Sequence, residues 1–362
     1  MKVLMTTGGT GGHIYPALAL ADYLVKKHEN VDIMFVGNDD RMEKDIIPQK
    51  GYRFVGIKAA RFNDDGNKLS ALKMLYKAYK HCLTLVSDYN PDIVIGFGSY
   101  VTVPVIMAAK KLGIKSIIHE QNSIAGMANK TLGHFVNKVV TVYPEAGVAF
   151  NSRKVECLGN PRESSVLDLV RDRQILETLD LDSSKKTVLI VMGSLGSASV
   201  NEKMIDILNA MNDKPYNVIY VSGKNNYEDI KGKVAESDTL KIFDYIDQFN
   251  IAANVDLVVS RAGATSACEY MALGLPAIFV PSPYVPNNHQ FINAKSMLDK
   301  GASLLLEEKD LSKETLIPLV DELLDDDLRL QKMSQAALSM SHPQAAGDIA
   351  ALMYKVAGVK DE

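Results

Sequence analysis

The sequence predicts an α/β protein made of two doubly wound parallel-sheet domains. Three observations carry this expectation. Short, near-continuously apolar runs alternate with amphipathic stretches along all 362 residues, the pattern of parallel strands covered by helices on both faces. That length exceeds what a single core usually serves. A strand that runs into a glycine-rich turn and then a helix also occurs twice, once near each end of the proposed division.

In the first half the strand candidates are Lys2–Met5, Val31–Val36, Phe54–Ile57, Ile93–Gly96, Ser116–His119 and Val139–Val142. In the second half they are Val188–Met192, Val218–Val221, Lys241–Phe243, Leu257–Ser260, Ala277–Val280 and Ser303–Leu306. The polar stretch Arg162–Lys186 is the domain boundary, which divides the chain into residues 1–162 and 163–342. Ligands of such sheets bind beyond the carboxyl ends of the strands.

The first glycine turn is Thr6-Thr7-Gly8-Gly9-Thr10-Gly11-Gly12-His13, with a helix expected to start near Tyr15-Pro16. Pro suits a first helical turn because its missing N–H would be unpaired there anyway. Glycines let the backbone approach a ligand, and a helix N-terminus adds N–H donors and partial positive charge, so the turn suits a phosphate. The dinucleotide fingerprint fails here, because Ile14 stands where its third glycine belongs. The nucleotide-binding G-x-x-x-x-G-K-[ST] loop fails as well, since no Lys-Ser or Lys-Thr follows. The competing reading is a turn that merely joins strand to helix. Val188–Met192 followed by Gly193–Ser197 and a helix from about Ser199 repeats the arrangement.

Composition narrows the class. A formal net charge of −4 and a pI near 6.0 argue against a general nucleic-acid binder. Cys82, Cys157 and Cys268 are too scattered for a metal pair or a disulfide framework, which suits a reducing cytoplasm. The N-terminal apolar run is too short for a signal peptide, and no run reaches the roughly 20 residues that span a bilayer.

Further motifs fall where strands give way to loops: His119-Glu120-Gln121-Asn122, Gly159-Asn160-Pro161-Arg162, Ser260-Arg261-Ala262-Gly263-Ala264 and His289-Gln290. Together with GGTGGH, the continuation of HEQN into IAG, and GSLGS, they span the chain. On these motifs the chain resembles the MurG family of bacterial glycosyltransferases. That family moves N-acetylglucosamine (GlcNAc) from UDP onto undecaprenyl-pyrophosphoryl-MurNAc-pentapeptide (lipid I), making lipid II for peptidoglycan. The resemblance implies a GT-B fold, two Rossmann-like domains facing across a cleft, with the lipid acceptor on the first and UDP-GlcNAc on the second. It also implies that a C-terminal helix, about residues 343–358, returns to the first domain.

On the donor side, the helix from Ala264 offers N–H groups to the UDP phosphates. It carries Thr265, Ser266, Ala267, Cys268 and Glu269, and the Glu269 carboxylate can accept both ribose hydroxyls; the plain alternative is a solvated helix carboxylate. The resemblance assigns Ser194 to a phosphate, Ile246 to uracil through its backbone, and Gln290 to the GlcNAc hydroxyls. It places Thr10, Gly11, Gly12 and Asn122 on the sugar-nucleotide side of the first domain. The spacing after Gly159-Asn160-Pro161 leaves Arg162, Glu163 or Ser164 as the phosphate partner, and Arg162 is the chemically natural one.

The reaction displaces UDP from the anomeric carbon by the C4 hydroxyl of MurNAc, with inversion, and needs a general base. His13 is the candidate, since imidazole takes a proton near neutral pH. Its alternative role is to cap or orient the glycine turn. Glu120, Tyr100 and Asn129 are candidates on the acceptor side. Asp39-Asp40, Asp64-Asp65 and Asp325-Asp326-Asp327 read as solvated loops or helix starts, so neither a metal nor another cofactor is expected.

The acceptor's tail lies in a membrane. In the segment Lys68–His81, Leu69, Leu72, Tyr76 and Tyr79 recur at helical spacing beside Lys68, Lys73, Lys77 and Lys80. A basic amphipathic helix of this kind can lie on an anionic membrane, or it can be an ordinary surface helix with its stripe on the sheet. The expected partners are therefore UDP-GlcNAc, lipid I and the cytoplasmic face of the cell membrane, with other cell-wall enzymes as candidates and no nucleic acid. The rival readings are a diacylglycerol glycosyltransferase, a UDP-GlcNAc 2-epimerase, or a non-catalytic membrane-recruiting subunit. Both halves in one chain argue against the last.

Overall fold

A computed structural model describes residues 1–59, 68–169, 171–192 and 198–360, without the side chains of 68–72 and 198–199. The chain forms two compact units, Met1–Ser165 with His342–Glu362, and Val166–Ser341. The first unit thus runs three residues beyond the boundary expected at 162, and it takes Glu163 and Ser164 with it.

The first unit holds β1 (Lys2–Thr6), β2 (Asp32–Asn38), β3 (Arg53–Ile57), β4 (Ile93–Gly96), β5 (Lys115–Glu120), β6 (Lys138–Thr141) and β7 (Val155–Cys157). All pair in parallel, in the order β3-β2-β1-β4-β5-β6-β7. Between them lie α1 (Gly11–Lys27), α2 (Glu43–Gln49), α3 (Lys68–Tyr89), α4 (Thr102–Lys111), α5 (Met127–Leu132) and α6 (Pro144–Gly147). Val3, Leu4 and Met5 are fully buried, as a central strand covered on both faces requires.

Edge strand β7 escapes sequence reading because it is only Val-Glu-Cys, and its Glu156 faces outward to pair with Lys138 at 2.6 Å. Helix α1 starts at Gly11 rather than near Tyr15. Thr10 is extended, and its carbonyl already accepts the N–H groups of His13 and Ile14 at 3.1 and 3.2 Å, so Pro16 lies inside the helix.

The second unit repeats the plan with β8 (Thr187–Val191), β9 (Asn217–Val221), β10 (Leu240–Phe243), β11 (Leu257–Ser260), β12 (Ala277–Phe279) and β13 (Ser303–Leu305). Their parallel order is β10-β9-β8-β11-β12-β13. Its helices are α7 (Ala198–Met211), α8 (Tyr227–Lys231), α9 (Gln248–Ala252), α10 (Ala264–Leu273), α11 (His289–Leu298), α12 (Lys313–Asp325) and α13 (Asp327–Met340). In each sheet growth reverses beside the first strand, between β1 and β4 and between β8 and β11. Such a switch point opens a crevice beyond the strand ends.

The last helix, α14 (Ala345–Ala357), belongs to the first unit. Its Ala346, Ile349, Ala350 and Met353 are buried in the core that includes Leu20, Leu24 and Ile93. The segment after β7 receives it. Ser164 Oγ accepts the Ala346 N–H at 2.9 Å, satisfying an otherwise orphan donor of the first helical turn. Glu163 accepts the N–H groups of Asn160 and His342.

Burial pushes the Glu163 carboxyl up to about 7, against those two N–H bonds, which favour its charge. An acid whose folded pKa lies above its ordinary 4.5 binds its proton more tightly in the folded state. Its contribution is complete below about pH 4.5 and is lost as pH rises through about 7. Chemical denaturation at pH 5 and pH 8 should therefore show a loss at the higher pH, up to about 3 kcal/mol from this group. Glu163→Gln should flatten that part of the profile, and an unchanged pH slope would contradict the account.

Candidate functional site

In the first unit the switch point brings together the loop after β1 and the loop after β4. Gly98 and Ser99 take left-handed backbone angles, φ +84° and +70°, a strained choice for Ser99. The His13 ring lies against this turn: a Cβ on Gly98 would stand 3.1 Å from its Cδ2 and Nε2. His13 Nδ1 donates to the Gly8 carbonyl at 3.1 Å, with Thr10 Oγ1 at 3.3 Å. A carbonyl only accepts, so Nδ1 carries the proton and Nε2 the basic lone pair.

Asn129 reaches the same place from α5, its Nδ2 lying 3.7 Å from the Cβ position of Gly98. That amide donates to the His119 carbonyl and to Glu120 Oε2, at 3.1 and 2.9 Å. Asn129 Oδ1 and His119 Nδ1 are buried and have no hydrogen-bond partner among the described residues. Burial lowers the His119 imidazole to about pKa 4, so it stays neutral. Its Nε2 donates to the Gly159 carbonyl at 3.0 Å.

Glu120 is not placed as a reactive acid. Its two oxygens accept from the Asn122 backbone and side chain, Gly126 N–H and Asn129 Nδ2, at 2.9 to 3.4 Å. It braces the loop that carries Asn122. Tyr100 is half-buried at the start of α4. Thr10, Gly11, Gly12 and His13 thus gather with Tyr100, Asn122 and Asn129 around the ends of β1, β4 and β5.

Arg162 and Ser164 do not join them. They follow β7, at the sheet edge, where Ser164 receives α14 and the Arg162 N–H donates to Asn160 Oδ1 at 3.0 Å. Ser164 folds with the first unit, not with the second as the boundary at 162 implied, and its Oγ accepts the Ala346 N–H.

In the second unit, α10 starts directly beyond β11 with extended Gly263 as its N-cap. Gly263 has an ordinary φ of −65°, and a Cβ there would meet nothing within 4 Å. Among the described residues neither backbone nor packing demands glycine, and the space beside Gly263 is open. Ala264, Thr265, Ala267, Cys268 and Glu269 are buried along α10, and Ser266 is half-buried.

Five ties arrange this end of the sheet. Arg261 and Glu308 form a buried ion pair at 2.6 Å, and Arg261 Nη1 donates to the Val280 carbonyl at 2.9 Å. Asn293 Nδ2 on α11 donates to the Ala262 carbonyl at 3.1 Å, while Gln290 Oε1 accepts the Ser282 N–H at 2.9 Å. Gln248 Nε2 donates to Tyr270 Oη at 2.5 Å, which joins the loop bearing buried Ile246 to α10. Ile246, Ala264–Glu269 and Gln290 therefore share one end of one sheet. Ser194 and the turn Gly193–Ser197 lie outside the described residues, as do Asp64 and Asp65.

Of the other acidic clusters, Asp326 caps α13 and Asp327 pairs with Lys186. No group of three or more His, Cys, Asp or Glu side chains among the described residues is placed to hold a metal ion.

Sequence reading missed Glu43, which is fully buried. Glu43 sits in the charged run Asp39–Asp45, which gives no sign of burial. Glu163, named in the sequence only as an alternative phosphate partner, is fully buried as well.

Two Rossmann-like units of this build have the GT-B architecture, and the family comparisons make the class that of a glycosyltransferase. Residues 3–141 match the family 28 glycosyltransferase N-terminal domain and residues 187–349 its C-terminal domain. A Bacillus cytotoxicus protein named UDP-N-acetylglucosamine--N-acetylmuramyl-(pentapeptide) pyrophosphoryl-undecaprenol N-acetylglucosamine transferase is 40% identical, over 98% of this chain and 99% of that one. A protein of the same name from Halalkalibacterium halodurans is 38% identical, over 99% and 100%. The crystal structure of Acinetobacter baumannii MurG superposes with a TM-score of 0.80 at 28% identity, covering 98% of this chain and 99% of that one. The chain belongs to glycosyltransferase family 28.

The Arg261–Glu308 pair supports the loop that opens α10. Removing one partner strands the other charge in a dry place, at a cost of about 3–5 kcal/mol. Glu308→Ala should lose about that much in denaturant titration, and Arg261→Met/Glu308→Leu should recover most of it. A loss under about 1 kcal/mol for Glu308→Ala would show that water reaches the pair.

Proposed function

We propose that this chain transfers GlcNAc from UDP-GlcNAc to the C4 hydroxyl of MurNAc in lipid I, forming lipid II for peptidoglycan. The observation that carries the reading is the match at 40% identity to a transferase of that name over 98% of the chain. The switch-point chemistry supports it. The first unit supplies the base and the acceptor groups, and the second holds the donor.

The UDP diphosphate is received by the N–H groups at the start of α10, in the space that Gly263 leaves open. Helix-end donors stabilise the charge that grows as the glycosidic bond breaks. Glu269 accepts the ribose hydroxyls, Ile246 and Ser194 hold uracil and phosphate, and the Gln290 amide NH2 donates to the sugar. The MurNAc C4 oxygen attacks the anomeric carbon as the bond to the phosphate oxygen breaks. The leaving electron pair goes to UDP, the hydroxyl proton to His13 Nε2, and the configuration inverts from α to β. Asn129 Oδ1, a buried acceptor without a partner among the described residues, can receive a hydrogen bond from the acceptor.

The enzyme works at the membrane surface as a peripheral protein. No helix among the described residues is long and apolar enough to cross a membrane. Helix α3 supports the surface reading. Its buried face is Ala78, Cys82, Val86 and Tyr89, and Tyr79 of the stripe that sequence spacing singled out packs partly against the same core. Tyr76 of that stripe is 57% exposed, lies 6.5 Å from the Tyr79 ring, and has Lys80 Nζ at 5.7 Å. Lys73, Lys77 and Lys80 are exposed beside it. Leu69 and Leu72 have side chains outside the described residues.

Two measurements test these points. With UDP-GlcNAc and a soluble lipid I analogue, His13→Ala should lower kcat about 10²-fold or more while leaving UDP-GlcNAc affinity unchanged. Lost affinity with intact turnover would make His13 a binding residue instead. In vesicle sedimentation, Lys73→Glu/Lys77→Glu/Lys80→Glu should weaken binding to anionic vesicles by about two orders of magnitude, at roughly 1 kcal/mol per lysine. Equal binding would remove α3 from the membrane contact.

A further inference from the structure

We propose that Glu43 positions the imidazole of His13 through the peptide group that joins Gly8 and Gly9. The inference rests on His13 being the base of the proposed transfer. The two ends of one peptide plane carry the connection. Its carbonyl, on Gly8, accepts from His13 Nδ1 at 3.1 Å, and its N–H, on Gly9, donates to Glu43 Oε2 at 3.1 Å. A carboxylate, a peptide and an imidazole thus stand in line, with the basic Nε2 at the far end beside Gly98.

Glu43 is built into this place. It is fully buried as the first residue of α2, and its Oε1 accepts Asn38 N–H and Asn38 Nδ2 at 3.0 and 2.7 Å. Two glycines make room for it: a Cβ on Gly8 would lie 2.2 Å from its Oε1, and one on Gly37 2.7 Å from its Cγ. Gly8 of the opening loop is therefore glycine because a carboxylate fills the space beside it.

A charged acceptor on the peptide N–H polarises that peptide and strengthens its carbonyl as an acceptor. The Nδ1–H tautomer is thereby favoured, and with it both the aim and the basicity of Nε2. Other groups near the ring among the described residues include the Thr10 hydroxyl, 3.3 Å from Nδ1, the Gly98 backbone, and His119, whose imidazole pKa the charge of His13 lowers slightly further. None of these places a second carboxylate on the Nδ1 side.

The test combines 15N NMR of histidine-labelled full-length protein with steady-state transfer from UDP-GlcNAc to a soluble lipid I analogue. The unsubstituted protein should show His13 protonated at Nδ1. Glu43→Gln should give a mixture of tautomers and a lower His13 pKa. It should also lower kcat about 10²-fold, with the UDP-GlcNAc KM within about threefold and the acid limb of kcat/KM moved to lower pH. Glu43→Asp, which keeps the charge but withdraws it, should lie between the two, and it serves as the test variant if Glu43→Gln does not fold. In a His13→Ala background Glu43→Gln should cost nothing further.

An Nε2–H tautomer in the unsubstituted protein would overturn the proposal. So would a His13 tautomer and pKa left unchanged by the test variant, or an equal loss of activity in the His13→Ala background. The spectra need no substrate. Expected spectra without transferase activity would therefore support the connection and count against the proposed reaction alone.

Discussion

In both units the chain returns to its first strand and continues the parallel sheet on the other side, so that β4 pairs with β1 and β11 with β8. Right-handed crossovers then place the helices on opposite faces either side of that pair. The loops leaving the two strands diverge, and a crevice stays open between them. The placement of functional groups depends on this constraint. His13 and the Gly98 turn meet because β1 and β4 are neighbours. The open space before α10 exists because it follows the second unit's switch strand. After β7, remote from the switch, the Arg162 backbone N–H donates to Asn160 and Ser164 Oγ accepts the Ala346 N–H.

A crevice formed by loops has to supply partners for many backbone N–H groups away from water, and this chain does so with buried carboxylates. Glu120, Glu43 and Glu163 each accept several N–H bonds and hold, respectively, the loop after β5, the first glycine turn and the returning C-terminal segment. Arg261 and Glu308 do the same for the loop before α10. Glu120 in particular is committed in this way to four N–H donors. In the proposed transfer the proton goes to the His13 imidazole, whose ring lies against a turn and whose Nδ1 donates to a carbonyl. His119 Nδ1 and Asn129 Oδ1, at this end of the sheet, are buried polar atoms without a partner among the described residues.

Twelve of the thirteen strands were legible because each is an apolar run bounded by turn residues. The thirteenth, β7, was not, since an edge strand of three residues carries no such run. The motif loops were legible as loops, yet their internal logic was not. The glycines of Gly8–Gly12 looked like room for a phosphate, whereas Gly8 makes room for Glu43, a residue 35 positions away on another element. Glu120 and Ser164 stood among the site residues by their neighbours in sequence. Their hydrogen bonds to Asn129 and Ala346 are not visible from those neighbours. The stripe on α3 was visible by its spacing, but periodicity could not tell a face that packs from one that is exposed. The buried set Ala78, Cys82, Val86 follows the same period, rotated round the helix.

The sequence by itself determined the fold class, the two-unit plan and the family, because these follow from periodicity and from motifs read along the chain. Only the tertiary structure decided which charged groups are buried and what each one serves. A carboxylate is spent or available according to the N–H donors that distant segments bring to it, and no local pattern records that distance. The connection from Glu43 through one peptide to His13 is of this kind. It exists because β1, β2 and the start of α2 converge at a single point.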